Sequence, residues 1–189
     1  MKFSQGRPYL AIPGPSVVPD RVLNAMHRAS PNIYEGDIIE LTEKALTDLK
    51  RLAFSSSHVA IYVGNGHAGW EAANANVFSR GDKALAVITG QFGINWANSL
   101  RRMSVEVEEL NFGRRNSADP ARIAAALEAD KTHAIRSVLV THVDTASTVR
   151  NDIVAIRAAM DAAGHPALLM VDGIASLGCD EFRMDDWGV

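Results

Sequence analysis

The chain has one cysteine, Cys179, among its 189 residues. That excludes an internal disulfide framework and a cysteine-rich zinc site. Charge of one sign is also scarce: 19 Lys and Arg stand against 22 Asp and Glu, a formal net charge of -3. No basic excess recommends nucleic acid or an anionic membrane as a partner. Apolar runs of membrane-spanning length are absent, and the opening Met1 to Arg7 lacks the apolar stretch of a secretory leader. The expected address is therefore the cytoplasm. The six histidines form no pair at metal-binding helical spacing and no H-E-x-x-H, so no metal is expected. No G-x-S-x-G elbow occurs, which leaves hydrolase chemistry of that type without a nucleophile. Internal repeats and low-complexity tracts are missing too. What is present is an ordinary globular composition, 47% hydrophobic and 22% charged, on a chain long enough to bury a sizeable core.

Punctuation by Pro8, Pro13-Gly14-Pro15 and Pro19 predicts an extended course over residues 7–19. Asp20 suits the N-cap of a short helix to about Ala29. A longer helix follows Gly36, where Ile38, Ile39, Leu41, Ala45, Leu46, Leu49 and Leu52 recur at helical spacing. This divides the chain into an N-terminal segment, 1–36, and the start of a larger domain, 37–189. In the second part strands and helices alternate. Strands are predicted at His58–Val63, Lys83–Ile88, Val105–Leu110, Ile135–Thr141 and Ala167–Val171. The third alternates with period two, as an edge strand does. Helices are predicted at about 68–78, 92–102, 120–129 and 152–163, with Asp119-Pro120 opening one and Gly164 ending another. Such alternation implies a three-layer α/β/α fold with a largely parallel sheet. The final stretch, Met184 to Val189, looks like the beginning of a further element. The chain is therefore expected to be the N-terminal part of something longer.

In an open parallel sheet, ligands bind beyond the carboxyl ends of strands, so chemistry is sought in the turns that follow them. Gly64-Asn65-Gly66-His67-Ala68-Gly69 fits the letters G-x-G-x-x-G ahead of a helix. A dinucleotide site also needs an acidic residue at the end of the next strand, and that strand ends Val87-Ile88-Thr89-Gly90. The surviving readings are a backbone cradle for a phosphate at a helix N-terminus and a tight glycine turn. Asp172, just after an apolar strand and before Gly173, is either poised to meet a cation or caps its own turn. Thr141 to Thr148 is a hydroxyl-rich turn whose groups can bond a ligand, while Asn151 or Asp152 caps the next helix. Phe92, between glycines in Gly90-Gln91-Phe92-Gly93, is a core residue or a stacking platform. Taken jointly, the loops at this edge offer a phosphate cradle, a flat ring, a hydroxyl and a carboxylate. That set suits a phosphorylated, flat, cationic heteroaromatic ligand.

The sequence here resembles the class V, fold-type-I pyridoxal-phosphate aminotransferases, in particular the serine–glyoxylate and alanine–glyoxylate group. The stretches that carry the resemblance are Pro13-Gly14-Pro15-Ser16, Asn65 to Ala73, Ser79-Arg80-Gly81-Asp82-Lys83, Gly90 to Gly93, Val143 to Ser147, and Val171 to Gly178. The resemblance implies pyridoxal 5'-phosphate as cofactor, with Asn65, Gly66 and His67 in the phosphate-binding turn, where the family often has Ser-Gly-His. It implies Phe92 as the ring stacked on the pyridine and Thr145 as the hydroxyl near the phenolic oxygen. Asp172 would be the catalytic acid paired with the pyridinium nitrogen, and Ile174 the apolar residue on the ring's other face. Thr148 stands where glycine is common. The implied reaction moves an amino group from a small amino acid, serine or alanine, to glyoxylate or another 2-oxo acid, in a homodimer. The alternative is a non-catalytic, cofactor-binding fragment. The family's catalytic lysine, in a Ser-x-Lys-like turn, and its small domain are expected beyond Val189. Only Lys2, Lys44, Lys50, Lys83 and Lys131 are present.

Overall fold

The computed structural model describes Leu10, Ile12 and residues 14–189. Arg7 to Tyr9, Ala11 and Pro13, part of the stretch expected to be extended, lie outside the described residues. The chain forms two compact units, Met1–Glu43 and Lys44–Val189. In the first, helix α1 spans Asp20–Met26. Pro19 rather than Asp20 takes the cap position, its carbonyl accepting from Val22 and Leu23 N–H, and Asp20 becomes the first helical residue. An acid there still favours the positive end of the helix. Helix α2, Asp37–Ala53, begins where Gly36 turns the chain at φ 83° and carries the division between the units.

The second unit is built on a four-stranded parallel sheet in the order β2-β1-β3-β6. Its strands are β1 (Lys83–Ile88), β2 (Glu106–Asn111), β3 (Ile135–Thr141) and β6 (Leu168–Asp172). A two-residue hairpin, β4 (Val143–Asp144) with β5 (Val149–Arg150), interrupts the run from β3 to the next helix. Helices α3 (Gly66–Val77), α4 (Gln91–Arg102), α5 (Pro120–Ala129) and α6 (Ile153–Ala162) complete the unit. Side chains alternate across the sheet, so successive residues of β1 supply two different cores. Ala84, Ala86 and Ile88 join Trp70 of α3 and Trp96, Ala97 and Leu100 of α4. Leu85 and Val87 join Ile123 and Leu127 of α5 and Ile153, Ile156 and Met160 of α6. The result is the three-layer α/β/α arrangement expected from the alternating pattern. Each fully buried Leu or Ile in these layers contributes about 1.5–3 kcal/mol.

One expected strand is not formed. His58–Val63 has no ladder partner among the described residues, and Ile61, Tyr62 and Val63 are exposed. Apolar, β-branched composition alone does not make a strand; paired backbone groups do. The glycine turn at 64–66 therefore follows an unpaired segment, and α3 reaches the sheet through its own packing. The edge strand expected at Val105–Leu110 forms one residue later, at Glu106–Asn111, with β2 at the outer position.

At the amino ends of the strands, Asp130 ties the end of α5 to the start of β3 and to His165 ahead of β6. Its carboxylate accepts Ile135 N–H at 2.7 Å and faces His165 Nε2 at 3.3 Å. The backbone bond from Ile135 leads the set that holds its pKa down at about 2, with burial opposing. A carboxyl held low in the fold supports the folded state above its ordinary titration range and loses that support as pH falls. Wild type should therefore lose stability between about pH 4 and about pH 2. Asp130→Asn, followed by urea unfolding across that range, should show a flatter profile. An unchanged acid slope would count against the assignment.

Candidate active site

Three strand ends and one helix start form the candidate site. The first is set by a carboxylate that sequence reading did not single out. Asp144 is fully buried, and its Oδ2 accepts N–H from Phe92 at 2.8 Å and from Gly93 at 3.1 Å. Its Oδ1 accepts Ala146 N–H at 3.0 Å. Gly90 occupies the cap position of α4 and has no side chain with which to cap it. Asp144 therefore caps the helix from across the sheet edge. A Cβ on Gly90 would lie 2.2 Å from the Asp144 Cγ, so glycine is required by close approach; its φ of -175° is ordinary extended backbone. The only sequence signal was the pairing of a cap-less glycine with an aspartate in a distant turn, and spacing does not reveal such a pair.

This cap fixes two of the expected residues. Phe92 lies in the first turn of α4, half-buried, with Trp70 against it edge-to-face at 6.4 Å. Phe92 packs on the core, as one of its two sequence readings has it, and keeps an accessible side. Thr145 directly follows Asp144, and its hydroxyl has no hydrogen-bond partner among the described residues. The remainder of the hydroxyl-rich turn serves structure: Asp152 caps α6 by accepting Ala155 N–H at 2.9 Å. Asn151 bridges Thr89 Oγ1 and the Thr141 carbonyl.

The helix start is α3. Asn65 caps it, its side chain accepting Ala68 N–H at 3.2 Å. The N–H groups of Gly66 and His67 donate to no group among the described residues. That is the condition under which a helix N-terminus receives an anion. A Cβ on Gly66 would stand 3.7 Å from Ile174, which places this turn beside the loop after β6. Ile174 itself is 69% exposed.

Asp172 ends β6, level with Thr141 in the parallel register, and is only 9% exposed. Its Oδ1 accepts Ile174 N–H at 2.9 Å, and its Oδ2 accepts the Trp70 indole N–H at 3.1 Å. The turn-closing reading is seen directly: one oxygen accepts the Ile174 N–H, while the carboxylate as a whole lies at the carboxyl end of the sheet. Burial raises its pKa, while the bonds from Ile174 and Trp70 oppose the rise. The Asp144 charge adds to the increase and His67 counters it. The turn beyond is held by Ser176, whose N–H donates to the Gly173 carbonyl and whose Oγ meets His142 Nδ1 at 2.9 Å. His142 is buried and desolvation lowers its pKa, which favours neutral imidazole.

A largely apolar cavity of about 640 Å³ adjoins the site. Gly66, Trp70, Asp172 and Ile174 line it, whereas Asn65, His67, Phe92 and Thr145 do not. Lysines lie elsewhere. Lys83 starts β1 and pairs with Glu108, and Lys131 precedes β3; both are at the amino ends of strands, opposite Asp172. Lys44 and Lys50 are on α2, and Lys2 lies outside the described residues. No helix among the described residues is long and apolar enough to cross a membrane, and no group of three or more metal-ligating side chains occurs among them.

No family model matches the chain. Over 188 residues it is 42% identical to the serine–glyoxylate aminotransferase of Methylorubrum extorquens, covering 97% of this chain and 46% of that protein. It is 40% identical over 181 residues to the L-aspartate–glyoxylate aminotransferase of Paracoccus denitrificans, covering 94% of this chain and 45% of the relative. Among solved structures, ureidoglycine–glyoxylate aminotransferase from Bacillus subtilis superposes with a TM-score of 0.84 at 26% identity, over 94% of this chain and 45% of that one. Alanine–glyoxylate aminotransferase from Nostoc sp. gives the same TM-score and identity, over 94% and 46%. The chain spans a little under half the length of these relatives. The resemblance to class V aminotransferases stands, and the α/β/α layers are those of the fold-type-I large domain.

The Asp144 cap generates a stability prediction. Gly90→Ala must displace the carboxylate, and Asp144→Ala removes it. Each should cost about 2–4 kcal/mol in urea unfolding, the range for losing hydrogen bonds to a buried charge. Because both break one arrangement, the double variant should cost little more than either alone. Additive losses would show that the two residues act independently.

Proposed function

We propose that this chain is the cofactor-cradling half of a pyridoxal-phosphate aminotransferase that moves an amino group from serine or alanine to glyoxylate or another 2-oxo acid. The observation that carries the reading is the position of Asp172. A buried carboxylate at a strand end shares one sheet edge with a free helix N-terminus, a half-exposed aromatic ring and an unpartnered hydroxyl. The residues fit the group. Gly66 and His67 N–H would take the phosphate, with Asn65 fixing their turn, and Phe92 would stack on the ring. Thr145 would donate to the phenolic oxygen. Ile174 would cover the opposite ring face. Asp172 would hold a proton on the ring nitrogen, since a carboxylate beside a cation favours the charged pair. When bound, the cofactor supplies an electron sink for charge developing at the substrate α-carbon. The protein's part is to bind, to orient and to keep that nitrogen protonated. Similarity to serine–, aspartate– and alanine–glyoxylate aminotransferases supports glyoxylate as acceptor and a small amino acid as donor.

The same reading takes residues 1–36 as a leading segment and 37–189 as the start of the large domain. A homodimer is supported by the exposed apolar side chains of Ile61, Tyr62 and Val63, surface that association would cover. A single, exposed Cys179 fits a reducing compartment such as the cytoplasm. A second reading, a binding fragment without turnover, is favoured by one observation: none of Lys44, Lys50, Lys83 and Lys131 lies at the strand ends with Asp172.

Two measurements separate these readings. The chain as it stands should bind pyridoxal 5'-phosphate reversibly, with no stoichiometric lysine adduct after borohydride reduction and intact-mass analysis. Phe92→Ala should weaken binding by about tenfold, the scale of one aromatic contact. For turnover, residues 1–189 would replace the corresponding half of the Methylorubrum enzyme. That chimera should form glycine from serine and glyoxylate, and Asp172→Asn in it should cut turnover at least a hundredfold. A folded chimera without activity would favour the second reading, and near-normal turnover in the Asp172→Asn chimera would contradict the role of Asp172.

A further inference from the structure

Trp70 touches three separate parts of the site. Its indole N–H donates to Asp172 Oδ2 at 3.1 Å, across 102 residues of sequence. The ring lies parallel to Trp96, 3° between planes with centroids 5.8 Å apart, and is 6% exposed. The rings of His67, beside the free N–H groups of α3, and of Phe92 meet it in edge geometry, with centroids 4.6 Å and 6.4 Å away. An indole clamped on this many sides has little freedom to turn, so the direction of its N–H is fixed by packing rather than by the acceptor.

We infer that Trp70 is a positioning residue for Asp172, fixing the plane of its carboxylate and keeping it ionised. A hydrogen bond from a neutral donor favours the charged form of a carboxyl group. The Ile174 N–H does the same at Oδ1, so one donor on each oxygen leaves the carboxylate no free rotation about its bond. The other groups facing it are Asp144, on the hairpin after β3, which disfavours the charge, and His67 on α3, which supports it. Burial also disfavours the charge, and the balance raises the carboxyl's pKa. Without Trp70, ionisation would rest on Ile174 and His67 alone. The functional meaning of this role rests on the reading of Asp172 as the acid that faces the ligand; the hydrogen bond and its effect on ionisation do not.

The experiment uses the chain without cofactor. In a 1H–15N spectrum followed over pH, the Trp70 indole resonance, assigned by its contact with His67, should move as Asp172 titrates. The Trp187 indole should not follow that titration. Asp172→Asn should abolish the movement. Trp70→Phe, which keeps a ring but removes the N–H, should shift the carbon-detected titration of Asp172 upward. An indole resonance blind to Asp172, or an Asp172 titration that stays put or falls in a folded Trp70→Phe variant, overturns the inference. If Trp70→Phe fails to fold, the wild-type and Asp172→Asn spectra decide alone. A separate measurement addresses the reading beneath it. Pyridoxal 5'-phosphate binding should weaken by about tenfold in Trp70→Phe, the effect of losing one charged hydrogen bond. Coupling seen in the titration together with undiminished binding in both Trp70→Phe and Asp172→Asn would support the positioning and contradict the ligand assignment.

Discussion

The arrangement at the strand ends depends on burying the Asp144 carboxylate at the start of α4. Three N–H groups converge on its two oxygens, from Phe92, Gly93 and Ala146. The missing Cβ of Gly90 makes room for it. An unpaired carboxylate is costly to bury, so the cap holds only while all of these elements keep their places. The hairpin after β3, the end of β1 and the first turn of α4 are thereby locked together. Phe92 and Thr145 owe their positions to that lock rather than to local preference.

Two buried carboxylates, Asp144 and Asp172, stand at the same edge in opposite conditions. Asp144 is fully buried and accepts three backbone N–H groups, so it serves the fold. Asp172 receives one bond on each oxygen and retains acceptor capacity. Burial pushes its pKa up, which marks a group whose charge the fold only partly supports. A cation placed against it would complete that support, which is the physical argument for a ligand with a protonated ring nitrogen. The neighbouring Thr141 hydroxyl, buried and without a hydrogen-bond partner, marks this edge as polar and incompletely satisfied.

Much of this was legible in the sequence because local physics reports it. β1 and β3 match the apolar runs residue for residue, and α5 begins where Asp119-Pro120 signals it. Asp172 was visible as an acid closing an apolar strand. The failures share a cause. His58–Val63 has strand composition but no ladder partner among the described residues, and composition cannot report pairing. Asp144 and Trp70 act across long sequence separations, 52 and 102 residues to their partners, so no local pattern marks them. The α1 cap moved by one residue because a proline carbonyl does the work that an aspartate side chain was expected to do.

The central claim is that helix start, ring, hydroxyl and carboxylate hold one ligand together. A crystal structure of the chain soaked with pyridoxal 5'-phosphate tests it most directly. The account predicts phosphate oxygens within hydrogen-bond distance of Gly66 and His67 N–H, the ring over Phe92, and the pyridine nitrogen against Asp172. Density that places the phosphate away from the α3 terminus, or turns the ring nitrogen away from Asp172, would contradict it.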